Sequence, residues 1–112
     1  MPRDELRLRH MLDAARKVIA FADGRSRSDL DTDEQLTLAI VRLLEIIGEA
    51  ARQVTSETRA AHPGIPWREI AGTRDRLIHG YFEVDLDVVW SIATNDLPGL
   101  VDSLETMLGT QP

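Results

Sequence analysis

Within the run Arg74-Asp75-Arg76-Leu77-Ile78-His79-Gly80-Tyr81 lie a permanent cation, a proton-transfer group and a phenol, eight residues from first to last. That is the minimum set for attacking a phosphodiester without a metal. Cleavage of RNA by its own 2′-hydroxyl needs a base for the 2′ proton, a charge to neutralise the pentacoordinate phosphorane and an acid for the leaving 5′ oxygen. Histidine suits proton transfer because its reference pKa of about 6.5 lies near neutrality. Arginine suits the phosphorane because its guanidinium stays charged and offers a planar fork to phosphate oxygens. DNA lacks the internal nucleophile, so this chemistry excludes it as a substrate.

Spacing refines the reading. On one helix Arg74 and His79 are about 140° apart and do not converge as neighbours. Asp75 and His79, four apart, share a face, so Asp75 is the candidate to hold the imidazole in one tautomer. Arg74 and Tyr81, seven apart, return to nearly one azimuth if the helix runs that far. The site is more complete if two copies of this helix meet across a two-fold axis and supply two histidines and two arginines to one cleft. Taken without their surroundings, the same residues also fit a surface salt bridge and a histidine at a helix end.

The elements that must position them read as helices. Leu8, Met11, Leu12, Ala15, Val18, Ile19 and Ala22 form one apolar stripe, and Gly24 sits where a left-handed cap ends that helix. Arg25 to Asp31 reads as a polar loop, with Asp31 or Thr32 as N-cap of a second helix over about 33–54. That helix carries Leu36, Ile40, Leu43, Leu44, Ile47, Ala51 and Val54 on one face. Ala39, Val41, Ile46 and Ala50 widen the apolar surface, which predicts burial on two sides, in the bundle or at a dimer contact. Gly48 with Ala50 and Ala51 allows a neighbouring helix to come close, despite the ~1 kcal/mol cost of a mid-helix glycine. Thr55 to Ala61 makes a short helical turn, and Pro66 opens a third helix running from Trp67 to about His79 and ending at Gly80. A fourth begins near Asp85, with Pro98 expected to bend or interrupt it. Nothing alternates at strand period for long enough to build a sheet. The expected fold is an all-α, up-and-down helical bundle forming one domain over residues 1–112, with an irregular connection before the motif helix.

Composition sets the outer limits. The 112 residues are 43% hydrophobic and 29% charged, with no cysteine and a net charge of −6. There is no disulfide framework and no thiolate metal site. No apolar run approaches the ~18–20 residues that span a bilayer. The absence of an apolar leader predicts a cytoplasmic protein. A net negative charge argues against broad electrostatic binding of nucleic acid, so a nuclease here must confine its contacts to one small arginine-bearing site.

Other candidates are weaker. His10 reads as a surface or interface histidine and His62, before Pro63, as a loop residue. The three histidines lack ligand-like spacing, so no metal site is expected. Glu45 and Glu49 read as a solvated or salt-bridged pair, and Trp67 and Trp90 as core anchors. Arg76 either adds phosphate affinity or pairs with an acid.

The flanks carry a resemblance. Gly64-Ile65-Pro66-Trp67-Arg68-Glu69-Ile70 precedes the motif, Val84-Asp85-Leu86-Asp87-Val88-Val89-Trp90 follows it, and Leu44-Glu45-Ile46-Ile47-Gly48-Glu49-Ala50-Ala51 lies upstream. From about Arg3 to Leu108 the chain resembles the HepT toxin family, a branch of the HEPN ribonucleases. The resemblance implies a homodimeric, metal-independent RNase toxin of a type VII toxin–antitoxin system, cutting RNA such as tRNA at a composite dimer site. It implies Arg74 as the phosphate-stabilising arginine and His79 as the proton-transfer histidine. It also implies a partner, an MntA-like nucleotidyltransferase antitoxin that uses ATP and magnesium to transfer AMP onto Tyr81. The toxin chain itself needs no cofactor. One departure from the pattern is Asp75, where these motifs often carry asparagine; a carboxylate there orients the histidine but repels a nearby phosphate. The alternative reading is a non-catalytic HEPN-type helical module that binds a nucleotidyltransferase without cutting RNA.

Overall fold

A computed structural model describes residues 2–79 and 83–109. The apolar stripe of the first segment becomes helix α1 (Pro2–Ala22), and Gly24 adopts φ 72° just beyond it. That left-handed conformation is one that glycine takes without steric cost. The segment expected as a loop contains a short helix, α2 (Asp29–Thr32). Asp33 then caps α3 (Glu34–Gln53) by accepting from Leu36 N–H at 3.0 Å, so the cap falls one or two residues later than expected. Asp33 serves because its backbone is extended while its carboxylate reaches the first free N–H groups of the helix.

Leu6 and His10 near the start of α1 share a groove with Ile46, Ala50 and Gln53 near the end of α3, so the two long helices run antiparallel. Leu8, Met11, Leu12 and Val18 of α1 interlock with Ile40, Leu44 and Ile47 of α3, all buried. Each such side chain contributes roughly 1.5–3 kcal/mol on leaving water. α3 is covered on a second side as well, by α5 (Trp67–Ala71) and α6 (Thr73–Leu77). Part of its extra apolar surface stays open. Leu38 is 62% exposed, and Val41 and Ile46 are only half-buried.

Between these lies α4 (Ser56–Ala61), N-capped by Thr55. The buried Asp4 carboxylate fastens this corner to α1. It accepts from Thr55 N–H at 3.1 Å, from the Thr55 hydroxyl at 2.7 Å and from the Thr58 hydroxyl. Burial alone pushes this carboxyl upward, but the hydrogen bonds from Thr58 and Thr55 together outweigh it and hold its pKa below the usual value of 3.8. The folded state therefore binds this proton less tightly than the unfolded chain. The stabilisation is complete above about pH 4 and is lost as pH falls through the folded value. Asp4→Ala should cost about 2–3 kcal/mol at pH 7, because it leaves buried donors without an acceptor. In urea melts at pH 7 and pH 3 the gap between wild type and variant should narrow at the lower pH; a gap that widens would contradict this account.

The C-terminal part is one interrupted rod: α7 (Leu86–Ser91), a π-helical turn (Ile92–Asp96) and α8 (Leu97–Leu108). The widened turn lies just ahead of Pro98. A proline has no N–H to give and its ring crowds the carbonyl four residues back, and a wider turn relieves that crowding. α8 packs on α1, where Arg16 pairs with the buried Glu105. At the other end Arg27, beside α2, reaches Asp87 of α7 at 2.7 Å. The all-α bundle is as expected, with one addition. Ile78–His79 (β1) and Glu83–Val84 (β2) pair as a minimal antiparallel hairpin in the register Ile78 with Val84 and His79 with Glu83.

Candidate active site

The expected single motif helix from Trp67 to His79 does not form. It breaks at Gly72, which separates α5 from α6, and it stops at Leu77. Two local causes are visible. At Gly72 the Thr73 hydroxyl turns back to the Ile70 carbonyl at 2.6 Å, closing the turn between the short helices. At the far end the Leu77 carbonyl accepts from Asp85 N–H at 2.7 Å. That bond satisfies a carbonyl which a helix terminus leaves free and draws Ile78 and His79 into extended backbone.

The consequence for chemistry is direct. Asp75 and His79 are not on one helix, so the expected four-residue pairing has lost its basis. His79 instead meets Asp85, with Nε2 to Oδ2 at 3.4 Å. Asp85 is also the N-cap of α7, and its other oxygen accepts from Asp87 N–H and Val88 N–H, both at 3.1 Å. The Val88 N–H chiefly, aided by His79 and the Asp87 N–H against partial desolvation, holds the Asp85 carboxyl below its ordinary value. Sequence reasoning placed Asp85 at a helix start and missed this contact. The signal was the six-residue separation between His79 and Asp85, legible only once the pairing of β1 with β2 is known.

Arg74 and His79 are both exposed, while Leu77 between them is completely buried. The core thus grips the segment and presents its two chemical groups to solvent. Among the described residues Arg74 has no ion-pair or hydrogen-bond partner. It borders a small groove with Arg42, Glu45, Glu49 and Arg52 of α3, which does not include His79. Arg52 donates from Nε to the Ala71 carbonyl at 3.1 Å and so ties α3 to the end of α5. Asp75 is exposed in the first turn of α6. Arg76 points elsewhere, 3.9 Å from Asp96, on the rim of an apolar groove of about 520 Å³ between α5–α6 and α8. Tyr81 lies outside the described residues, as does Gly80.

What sets the height of this segment is Gly48. A Cβ there would stand 3.0 Å from the Ile70 carbonyl oxygen and 3.4 Å from Thr73 Cβ. α5 and α6 therefore rest directly on the α3 backbone, the close approach that the small residues of α3 predicted. Trp67 is buried and donates from Nε1 to the His62 carbonyl at 3.0 Å, so it is a core anchor and His62 shapes the loop. Trp90 is half-buried against the same core.

Comparison with known proteins gives a family. The model of the "Ribonuclease HepT-like" family matches residues 11–107. The chain belongs to the HepT-like ribonuclease family. Similar proteins include one of Caldanaerobacter subterraneus provisionally named an RNase, 41% identical over 90% of each chain. A protein of Thermococcus cleftensis provisionally named ribonuclease HepT is 43% identical over 70% of this chain and 72% of its own. Another provisionally named RNase, from Methanocaldococcus jannaschii, is 35% identical over 85% of this chain and 87% of its own. No solved structure matches the chain significantly. Among the described residues no group of histidine and acidic side chains is arranged to hold a metal, and no helix is long and apolar enough to cross a membrane.

Proposed function

We propose that this protein is a metal-independent endoribonuclease toxin that works as a homodimer. The observation that carries this reading is the exposure of Arg74 and His79 on either side of the buried Leu77, within a chain of the HepT-like ribonuclease family. His79 takes the proton from the 2′-hydroxyl as that oxygen attacks the adjacent phosphorus. Arg74 neutralises the added charge on the phosphorane. The P–O5′ bond then breaks, and the leaving oxygen receives a proton from the imidazolium or its counterpart in the second copy. The products are a 2′,3′-cyclic phosphate and a 5′-hydroxyl. Purified protein incubated with a tRNA pool and EDTA, followed by end-group analysis, tests this. Cleavage that requires added magnesium, or fragments with 3′-hydroxyl ends, would overturn it.

Two features support a dimer. Arg74 and His79 sit on different elements with different neighbours, so one chain gathers only part of the set in any one groove. Leu38 and Leu6 are 62% and 54% exposed, apolar surface that a second copy would cover. Sedimentation at micromolar concentration should give twice the chain mass; a species of 12.5 kDa alone would count against it.

The proposed control is transfer of AMP to Tyr81 by an MntA-like nucleotidyltransferase. A phosphodiester added two residues from His79 would bring a negative charge that competes for the arginine and repels RNA, with no need for refolding. Tyr81→Phe removes only the hydroxyl. This variant should keep RNase activity yet gain no AMP when incubated with the partner, ATP and magnesium, as read by intact mass. AMP found on the Phe variant would end the proposal for Tyr81. The non-catalytic reading draws on Glu45 and Glu49, which border the Arg74 groove and disfavour a phosphate there; the EDTA assay separates the two.

A further inference from the structure

We propose that Asp85 is the positioning carboxylate of His79: it holds Nε2 across the β1–β2 hairpin and leaves Nδ1 as the nitrogen that exchanges protons with substrate. Three bonds fix its place. Its backbone N–H is bound to the Leu77 carbonyl at the end of α6, at 2.7 Å. Its Oδ1 accepts from two N–H groups at the start of α7, which leaves Oδ2 free to face the imidazole. Oδ2 lies 3.4 Å from Nε2. The backbone anchors are themselves held by the core, because Leu77 and Val89 are completely buried. A carboxylate is an acceptor only, so it selects the neutral tautomer that carries its proton on Nε2. The lone pair then resides on Nδ1, the atom turned away from Asp85.

The hairpin register brings a second acid near. Glu83 is the cross-strand partner of His79. It is exposed and forms no hydrogen bond to the ring among the described residues. Arg74 and Arg76 on α6 are the nearest cations in sequence, and neither is within ion-pairing distance of Asp85. Asp85 is therefore the group whose placement, through the α7 cap, is fixed independently of the ring. The chemistry resembles any orienting carboxylate behind a proton-transfer histidine: it does not touch the substrate, and it determines which ring nitrogen does.

This inference rests on the RNase reading for its kinetic arm but not for its spectroscopic one. The variants are Asp85→Asn and Asp85→Ser in the full chain. Both residues are good N-caps, so α7 should keep its start, and far-UV circular dichroism should be unchanged. In the Asn variant the amide oxygen is taken by the helix N–H groups, so the NH2 group faces Nε2 and donates to it. Nitrogen-15 NMR of the neutral imidazole should show the proton on Nε2 in wild type and shifted toward Nδ1 in Asp85→Asn. Glu83→Gln should leave the wild-type tautomer.

For RNA cleavage, Asp85→Asn should lose on the order of 10²–10⁴-fold in kcat, with KM little changed. Asp85→Ser imposes no wrong tautomer and should lose less. A purely structural role predicts the reverse order, since asparagine is the closer isostere. An unchanged tautomer in Asp85→Asn, or a serine variant less active than the asparagine variant, would overturn the proposal. If wild type cuts no RNA, the RNase reading fails and the tautomer measurement alone still decides where Asp85 stands.

Discussion

His79→Ala and Arg74→Ala should each reduce RNA cleavage by roughly 10²–10⁴-fold while leaving the melting temperature within a few degrees of wild type. Activity should fall because a positioned proton-transfer group, or the charge facing the phosphorane, is removed. Stability should hold because both side chains are exposed and neither anchors the core. His79 does contact Asp85, but at 3.4 Å and on the surface, where such a pair contributes little. Arg74 has no partner to lose among the described residues. The assay needs single-turnover rates with EDTA present and melting curves on the same preparations. Wild-type rates in the His79 variant would remove the residue from the mechanism. Activity abolished by EDTA would place a metal in the reaction or reveal a contaminating nuclease.

Gly48→Val should produce a comparable loss of activity from a residue that touches no substrate. Its first side-chain carbon would stand 3.0 Å from a backbone oxygen, the Ile70 carbonyl, which cannot rotate away as a flexible side chain can. The Cβ alone asks the Ile70 carbonyl to give by a few tenths of an ångström, and the two methyls of valine ask for more, which pushes α5 and α6, carrying Trp67, Leu77 and Arg74, away from α3. A displacement near 1 Å in a catalytic constellation costs about 10²-fold. Overpacking of this kind destabilises by about 1–3 kcal/mol. The variant should therefore retain its helical content, melt lower and cut RNA about a hundred times more slowly. Gly48→Ala, with a single methyl to place, should fall between it and wild type. Full activity in Gly48→Val would mean that the motif segment is not seated by α3.

The sequence by itself determined the helices that stand on long apolar stripes. α1 and α3 are each fixed by several side chains recurring at helical spacing, so local pattern and tertiary burial agree from Leu8 to Val18 and from Leu36 to Ala51. It also showed the capping glycine at 24, the closeness of another element to Gly48, and the segment bearing Arg74 and His79, because each depends on residue type at one position. The tertiary structure decided how the motif is divided. Between Trp67 and His79 no long stripe enforces one helix, and the competing bonds come from elsewhere in the chain: the Thr73 hydroxyl at the Gly72 break, and Asp85 N–H on the Leu77 carbonyl. A partner six or eight residues away across a turn leaves no periodic trace. For the same reason the carboxylate beside His79 is Asp85 rather than the helically spaced Asp75: helical spacing predicts contacts only while the helix continues, and this one ends before the histidine is reached.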